Sequence, residues 1–215
     1  MLKLIRKEVK KIKTPLFKEI VVKGLSGRIT INKFEMQNHK SLHSQLALPF
    51  RETDSDHLID IFTTLENKFG LQRNSNQTLV DLGAGNGKII IFSALHYGLK
   101  SIGIEINSTF IAEAKNRIAE LRKKPVYPKK MFQNIQLEVG DLFSQNIQKF
   151  DFIYIYGLPT MHKYLNHVFQ TAKKGAIIIS YKYPIDIFKT YLVLEYKLLK
   201  KARNQKFGIF FYRKV

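Results

Sequence analysis

The 215-residue sequence contains no cysteine and no tryptophan. Without cysteine there is no disulfide framework, no thiolate nucleophile and no cysteine-ligated zinc site, a composition that fits a reducing compartment. Acidic residues are scarce: 17 Asp and Glu stand against 36 Lys and Arg, a formal net charge of +19. Such a field favours nucleic acid, an anionic membrane surface or acidic protein patches as partners; the alternative is that the charge serves solubility alone. Apolar runs fall short of the roughly 18–20 residues that span a bilayer. Basic residues interrupt Met1–Lys7, so a signal-peptide apolar region is not expected there, and a lysine-rich transit peptide is the minor alternative. The expectation is a soluble cytoplasmic protein, with peripheral membrane association or an organelle as alternatives. What is plentiful is apolar residues, 45% of the chain, enough at this length for a substantial globular core.

Two regions differ in character. Residues 1–48 hold nine Lys and two Arg against three Glu, a net of +8. Leu2, Ile5, Val9 and Ile12 recur at helical spacing among lysines, which predicts a basic amphipathic helix up to Thr14-Pro15. Glu19–Lys23 and Arg28–Lys33 flank Gly24-Leu25-Ser26-Gly27 as a hairpin would. This extension could grip phosphates or lipid, or simply pack on its own domain. Residues 49–215 form the second region. Thr53 or Asp54 caps a helix whose apolar stripe is Leu58, Ile59, Ile61, Phe62 and Leu65. Strands are predicted at 78–82, 101–105, 135–139, 151–156 and 175–180, with helices at 87–97, 108–122 and 160–173 between them. That alternation predicts an α/β fold with a mostly parallel, Rossmann-like sheet wrapped by helices. Runs 191–199 and 207–213 read as an antiparallel hairpin on its edge.

The most informative stretch is Leu79-Val80-Asp81-Leu82-Gly83-Ala84-Gly85-Asn86-Gly87, a buried strand that breaks into a glycine turn. Glycine lets backbone approach a ligand and allows φ > 0. Loops that hold pyrophosphate usually show G-x-G-x-x-G, and the Walker loop shows G-K-[ST]. Here Lys88-Ile89-Ile90 follow Gly87, with neither signature. Glu105 closes the next strand about twenty residues on, where a carboxylate takes the two hydroxyls of a ribose. A nucleoside without phosphate is therefore expected, and S-adenosylmethionine is the expected cofactor, with S-adenosylhomocysteine as product. Gly83, Ala84, Gly85, Asn86 and Gly87 would pass its methionine part over bare backbone. Asp81 would orient that loop or meet the ammonium. Asp141 would accept the adenine amino group, and the Leu142 N–H would reach a ring nitrogen, with Ile106 and Leu142 on the two adenine faces. The competing readings are an ordinary strand-to-helix turn, a helix-terminal charge at Glu105 and an Asp turn at 141.

The loop Tyr156-Gly157-Leu158-Pro159-Thr160-Met161 bears on the acceptor. Enzymes that methylate exocyclic base amines often carry Asp/Asn-Pro-Pro-Tyr/Phe at this place, and the chain has neither the amide or carboxylate nor the double proline. Tyr156, Tyr181 and Tyr183 lie near the same strand ends, where their faces could line a lysine channel beside Pro159; the alternative is that they cap the core edge with wet hydroxyls. The six histidines show no metal spacing: His162 and His167 are five apart, roughly 140° around a helix, and read as ordinary polar positions. No metal is expected. A general base is not obvious, since transfer to a neutral amine needs mainly alignment and desolvation.

Residues about 50–185 resemble class I methyltransferases of the archaeal broad-specificity protein-lysine type, and the related mitochondrial family that methylates a lysine on the c-subunit of ATP synthase. The matching pieces are the helix entry at Thr53, Val80 through Ile90, Gly103-Ile104-Glu105-Ile106-Asn107, and Tyr156 through Met161. Those families commonly show Val-Pro-Thr-Pro where this chain has Arg51-Glu52-Thr53-Asp54, so only Thr53 is shared. The resemblance implies a seven-stranded sheet, S-adenosylmethionine as donor with Thr53 and Tyr156 at its site, and a protein lysine ε-amine as acceptor. RNA methylation through the basic surface, or cofactor binding without catalysis, is the alternative.

Overall fold

The computed structural model describes residues 50–202 and 205–215. The basic helix and hairpin expected within residues 1–48 lie outside the described residues. Helix α1 (Ser55–Lys68) is followed by β1 (Thr78–Leu82), α2 (Lys88–Tyr97), β2 (Lys100–Glu105), α3 (Ser108–Arg122), β3 (Ile135–Val139) and β4 (Phe152–Ile155). Two short helices, α4 (Pro159–His162) and α5 (Asn166–Gln170), precede β5 (Ile177–Lys182), and the hairpin β6 (Leu192–Ala202) and β7 (Gln205–Lys214) closes the chain. The seven strands form one sheet in the order β3-β2-β1-β4-β5-β7-β6. The first five are parallel, and β7 is antiparallel to both β5 and β6.

Strand direction across the sheet explains where a ligand would go. The chain runs outward from β1 through β2 to β3, then returns to β4 on the other side of β1. Helices leaving β1 and β4 therefore diverge, which opens a crevice at the carboxyl ends of these two strands. Both central strands are buried on both faces, as parallel strands usually are. Leu79, Phe152, Tyr154, Ile179 and Phe211 pack with α1 and α2 on one face. Val80, Leu82, Ile153, Ile155 and Phe169 pack on the other.

Helix α1 starts where Asp54 accepts the Asp56 N–H at 2.9 Å, so of the two candidate caps Asp54 does the work. It buries Leu58, Ile59, Ile61, Phe62 and Leu65, as its apolar spacing predicts. Each such side chain contributes about 1.5–3 kcal/mol on burial. The helix predicted over 160–173 is instead broken into α4, a 3₁₀ turn at Lys163–Leu165, and α5. The break falls at Leu165, whose φ of −95° and ψ of 2° lie outside the helical well. The β6–β7 hairpin runs longer than the apolar runs suggest, with a register shift between Leu194 and Tyr196 that marks a bulge. No helix of the described residues is long and apolar enough to cross a membrane.

Candidate active site

The glycine turn sits at the crevice. Gly83, Gly85 and Gly87 have φ of 84°, 52° and 75°, a left-handed region that L side chains rarely occupy. The turn is anchored to the neighbouring strand: the N–H groups of Gly83 and Ala84 both donate to the Ile104 carbonyl at 2.9 Å. Close approach also needs Gly103, where a Cβ would lie 2.7 Å from that of Ala84 and 2.9 Å from Ile90 Cδ1.

Three acids stand at successive strand ends, each in a different setting. Glu105 accepts the Gly85 N–H at 2.8 Å through one oxygen and the Asn107 N–H at 2.9 Å through the other. It therefore ties the glycine turn to the tip of β2, while Asn107 caps α3 by accepting from the Thr109 N–H. Asp141 accepts the Phe143 N–H at 2.8 Å and caps a 3₁₀ turn, the local role an Asp turn predicts. Asp81 is different. It is 2% exposed, and the charged group beside it is the acid Glu105. Burial, and then the neighbouring Glu105 charge, push its pKa well above the ordinary carboxylate value.

Around these acids, Leu142 is buried, its Cδ2 3.5 Å from where a Gly83 Cβ would lie, and Ile106 is 38% exposed. Asn86 is buried, and its Nδ2 donates to Glu52 Oε1 at 2.7 Å. Glu52 also takes Lys88 Nζ at 3.0 Å and faces Arg117 Nη2 at 3.4 Å. Burial alone would raise the Glu52 pKa, but Lys88, Asn86 and Arg117 outweigh it and hold the carboxyl below its usual range. Lys88 Nζ further donates to the Thr53 carbonyl at 2.6 Å. The segment 50–54 is thus strapped across the glycine turn. Phe50 rests on Gly85, its ring filling the place that a Cβ would take, and its ring centroid is 4.4 Å from that of Phe110 on α3. Thr53 is buried, and its hydroxyl is 2.6 Å from that of Tyr154.

The acceptor-side candidates gather at the ends of β4 and β5. The Tyr156 and Tyr181 ring centroids are 4.8 Å apart at 77°, and those of Tyr156 and Tyr183 are 6.5 Å apart. Tyr181 is not a wet cap: it is 1% exposed, and its hydroxyl is 2.7 Å from His57 Nδ1. Tyr156 and Tyr183 are half-buried, and Pro159 is exposed at the first position of α4. His162 is not an ordinary polar position either. It is buried, its Nε2 donates to the Gly157 carbonyl at 3.1 Å, and burial lowers its pKa. No cluster of His, Cys, Asp and Glu able to hold a metal occurs among the described residues.

Sequence reasoning missed Glu52, Lys88, Arg117, Tyr154 and His162. Only Lys88, directly after Gly87, and Tyr154, at the inward phase of β4 that faces Asp81, carried a local signal. The Glu52 cluster joins residues up to 65 positions apart, which no short pattern reveals.

The model for the ANTKMT methyltransferase domain matches residues 81–191. An ATP synthase c-subunit lysine N-methyltransferase of Xenopus laevis is 24% identical over 123 residues, 57% of this chain and 50% of that protein. One of the same name from Caenorhabditis elegans is 29% identical over 73 residues, 34% of this chain and 38% of that protein. The chain thus spans half or less of the curated relatives it matches. Among solved structures, an RNA methyltransferase from Salinibacter ruber in complex with S-adenosyl-L-homocysteine aligns with a TM-score of 0.58 at 18% identity, covering 78% of this chain and 94% of that one. A magnesium protoporphyrin IX methyltransferase from Synechocystis with bound S-adenosylmethionine aligns at 0.56 and 16%, covering 74% and 79%. These two share the fold. With its glycine turn, its acid-tipped strands and a family match over just more than half its length, the chain belongs to the ANTKMT methyltransferase domain family.

Proposed function

We propose that this chain transfers the methyl group of S-adenosylmethionine to lysine ε-amines of a protein. The observation that carries the donor half is Asp81, a buried acid beside a glycine turn whose charged neighbour is a second acid, Glu105. Burying a carboxylate without a counter-charge is costly, so the site fits a ligand that brings a cation. The remaining residues fit the same ligand. Glu105 would take the ribose hydroxyls, Gly83–Gly87 the methionine backbone, and Asp141 with Leu142 the adenine edge. Ile106 would cover an adenine face, and Thr53 and Tyr156 would form the rim. The donor, when bound, supplies an electrophilic methyl on a sulfonium. The chain's own contribution is alignment and exclusion of water: the strap closes one side, and the tyrosines wall the other. Residues 49–215 would constitute the catalytic domain, and residues 1–48 a basic extension.

The lysine half is supported by the names of the curated relatives and by the missing base-binding motif in loop 156–161. An RNA acceptor is the second reading, favoured by the net charge of +19. Incubation with labelled donor and total cell extract, followed by nuclease or protease digestion, separates them. Label that survives nuclease and is released as methyl-lysine is the expected result. Label lost with RNA contradicts the lysine reading, and donor binding without any transfer contradicts catalysis. For the protein partner, an acidic surface is the complement to expect; anionic membrane is a further candidate for residues 1–48.

A further inference from the structure

At the carboxyl end of β5 the chain turns through a left-handed residue that is not glycine. Lys182 has a φ of 70°, a conformation that L side chains rarely adopt. The turn is held by Ser180, whose hydroxyl donates to the Tyr183 carbonyl at 2.6 Å. In this pose Lys182 Nζ lies 5.2 Å from the Tyr156 ring centroid, 5.4 Å from that of Phe207 and 5.6 Å from that of Tyr181. All three are within cation–π range, which extends to about 6 Å.

The three rings form walls rather than a stack. Tyr156 and Tyr181 are inclined at 77°, and Tyr181 and Phe207 at 67°. Phe207 reaches the group because Lys182 pairs with its neighbour Gly208 in the antiparallel register. Tyr181 is fixed in turn by its hydroxyl contact with His57. The cage stands at the carboxyl ends of β4 and β5. Strand β4 adjoins β1, and Asp81 pairs with Tyr154 two residues before Tyr156. β5 is therefore two strand spacings, roughly 10 Å, from the acid-bearing strand.

We infer that this three-ring cage is the acceptor-ammonium subsite and that Lys182 is its internal occupant, which an entering lysine displaces. The identity of the guest rests on the lysine reading above; the occupancy of the cage by Lys182 does not. Two ammonium groups repel each other, so they exclude one another from a single cage. The acceptor's apparent affinity is then reduced by the fraction of molecules in which Lys182 is still in place. Phe207 becomes a residue that sets acceptor affinity, although it lies far from every motif.

Butyltrimethylammonium is a suitable probe, titrated into the full chain and followed by NMR shifts of the amides around Tyr156 and Tyr181. Lys182→Gly empties the cage and suits the left-handed backbone, so the probe is expected to bind at least about fivefold more tightly than to the native chain. Lys182→Arg, which keeps a cation in place, is expected to stay close to native, and Lys182→Gly combined with Phe207→Leu is expected to lose the gain. Unchanged or weaker binding to Lys182→Gly would overturn the inference, as would a gain that survives loss of Phe207. Probe binding requires no methyl transfer. Failure here therefore leaves the lysine reading standing, and label found on RNA in the transfer experiment would not alter the cage result.

Discussion

Asp81 and Glu105 occupy the same end of the crevice but are set up for different tasks. Glu105 is already engaged by two backbone N–H groups, which aim its carboxylate and fix the loop that it faces. Replacing it with Ala should weaken donor binding by about 1–3 kcal/mol through loss of charge-assisted hydrogen bonds. Calorimetry reads this directly, and unchanged affinity would remove its ribose role. Burial and the Glu105 charge raise the Asp81 pKa well above its ordinary range. The sign follows: its folded-state pKa is raised, so its contribution to stability is fully present below the unfolded value and is lost as pH rises through the folded value. A cationic ligand favours the ionised form, so donor binding should expel a proton and tighten as pH rises through that same window. Calorimetry in buffers of different ionisation enthalpy should reveal the released proton in the native chain and none in Asp81→Asn. Equal proton release by both would show that the coupled group lies elsewhere. Gly85→Val forces a branched side chain into a left-handed position already covered by Phe50. Donor binding should be abolished while the fold persists, which calorimetry and circular dichroism together establish.

At the scale of elements, the strap and the sheet were unequally legible. Apolar runs located all seven strands; in β5, buried on both faces, the run is the continuous β-branched stretch Ile177-Ile178-Ile179. The turn at Gly83–Gly87 and the place of Glu105 at the tip of β2 were legible because both positions are local in sequence. The broken helix after Pro159 was not: its apolar spacing is helical throughout, and the interruption appears only in the backbone angles at Leu165. Nor was the strap legible, since Glu52 is held by Asn86, Lys88 and Arg117, all distant in sequence. Glu52 is the hub of a half-buried ion cluster, and breaking such a cluster leaves Lys88 and Arg117 without this anion. Glu52→Ala should lower stability by about 1–3 kcal/mol and weaken donor binding, as thermal melts with and without donor would show. The Glu52 pKa is depressed on folding, so this stabilisation is present above the unfolded carboxylate pKa and lost as pH falls through the folded one. A variant whose melting curve matched the native chain would mean the strap is not held by this cluster.

For the whole molecule, the decisive features are a parallel sheet with a crevice at its switch point and a net charge of +19. The charge predicts that association with an acidic acceptor weakens as salt is raised, while donor binding inside the crevice changes little. Comparing the two salt dependences would separate long-range steering from site chemistry. The central claim, that the end of β1 and the tip of β2 cradle a sulfonium nucleoside, is tested most directly by a crystal structure of the full chain grown with S-adenosylmethionine. Such crystals should show the ribose hydroxyls on Glu105, the glycine turn against the methionine part, and a cationic group of the ligand facing Asp81. A crevice left empty at saturating donor, or one that binds a dinucleotide across the same turn, would contradict it.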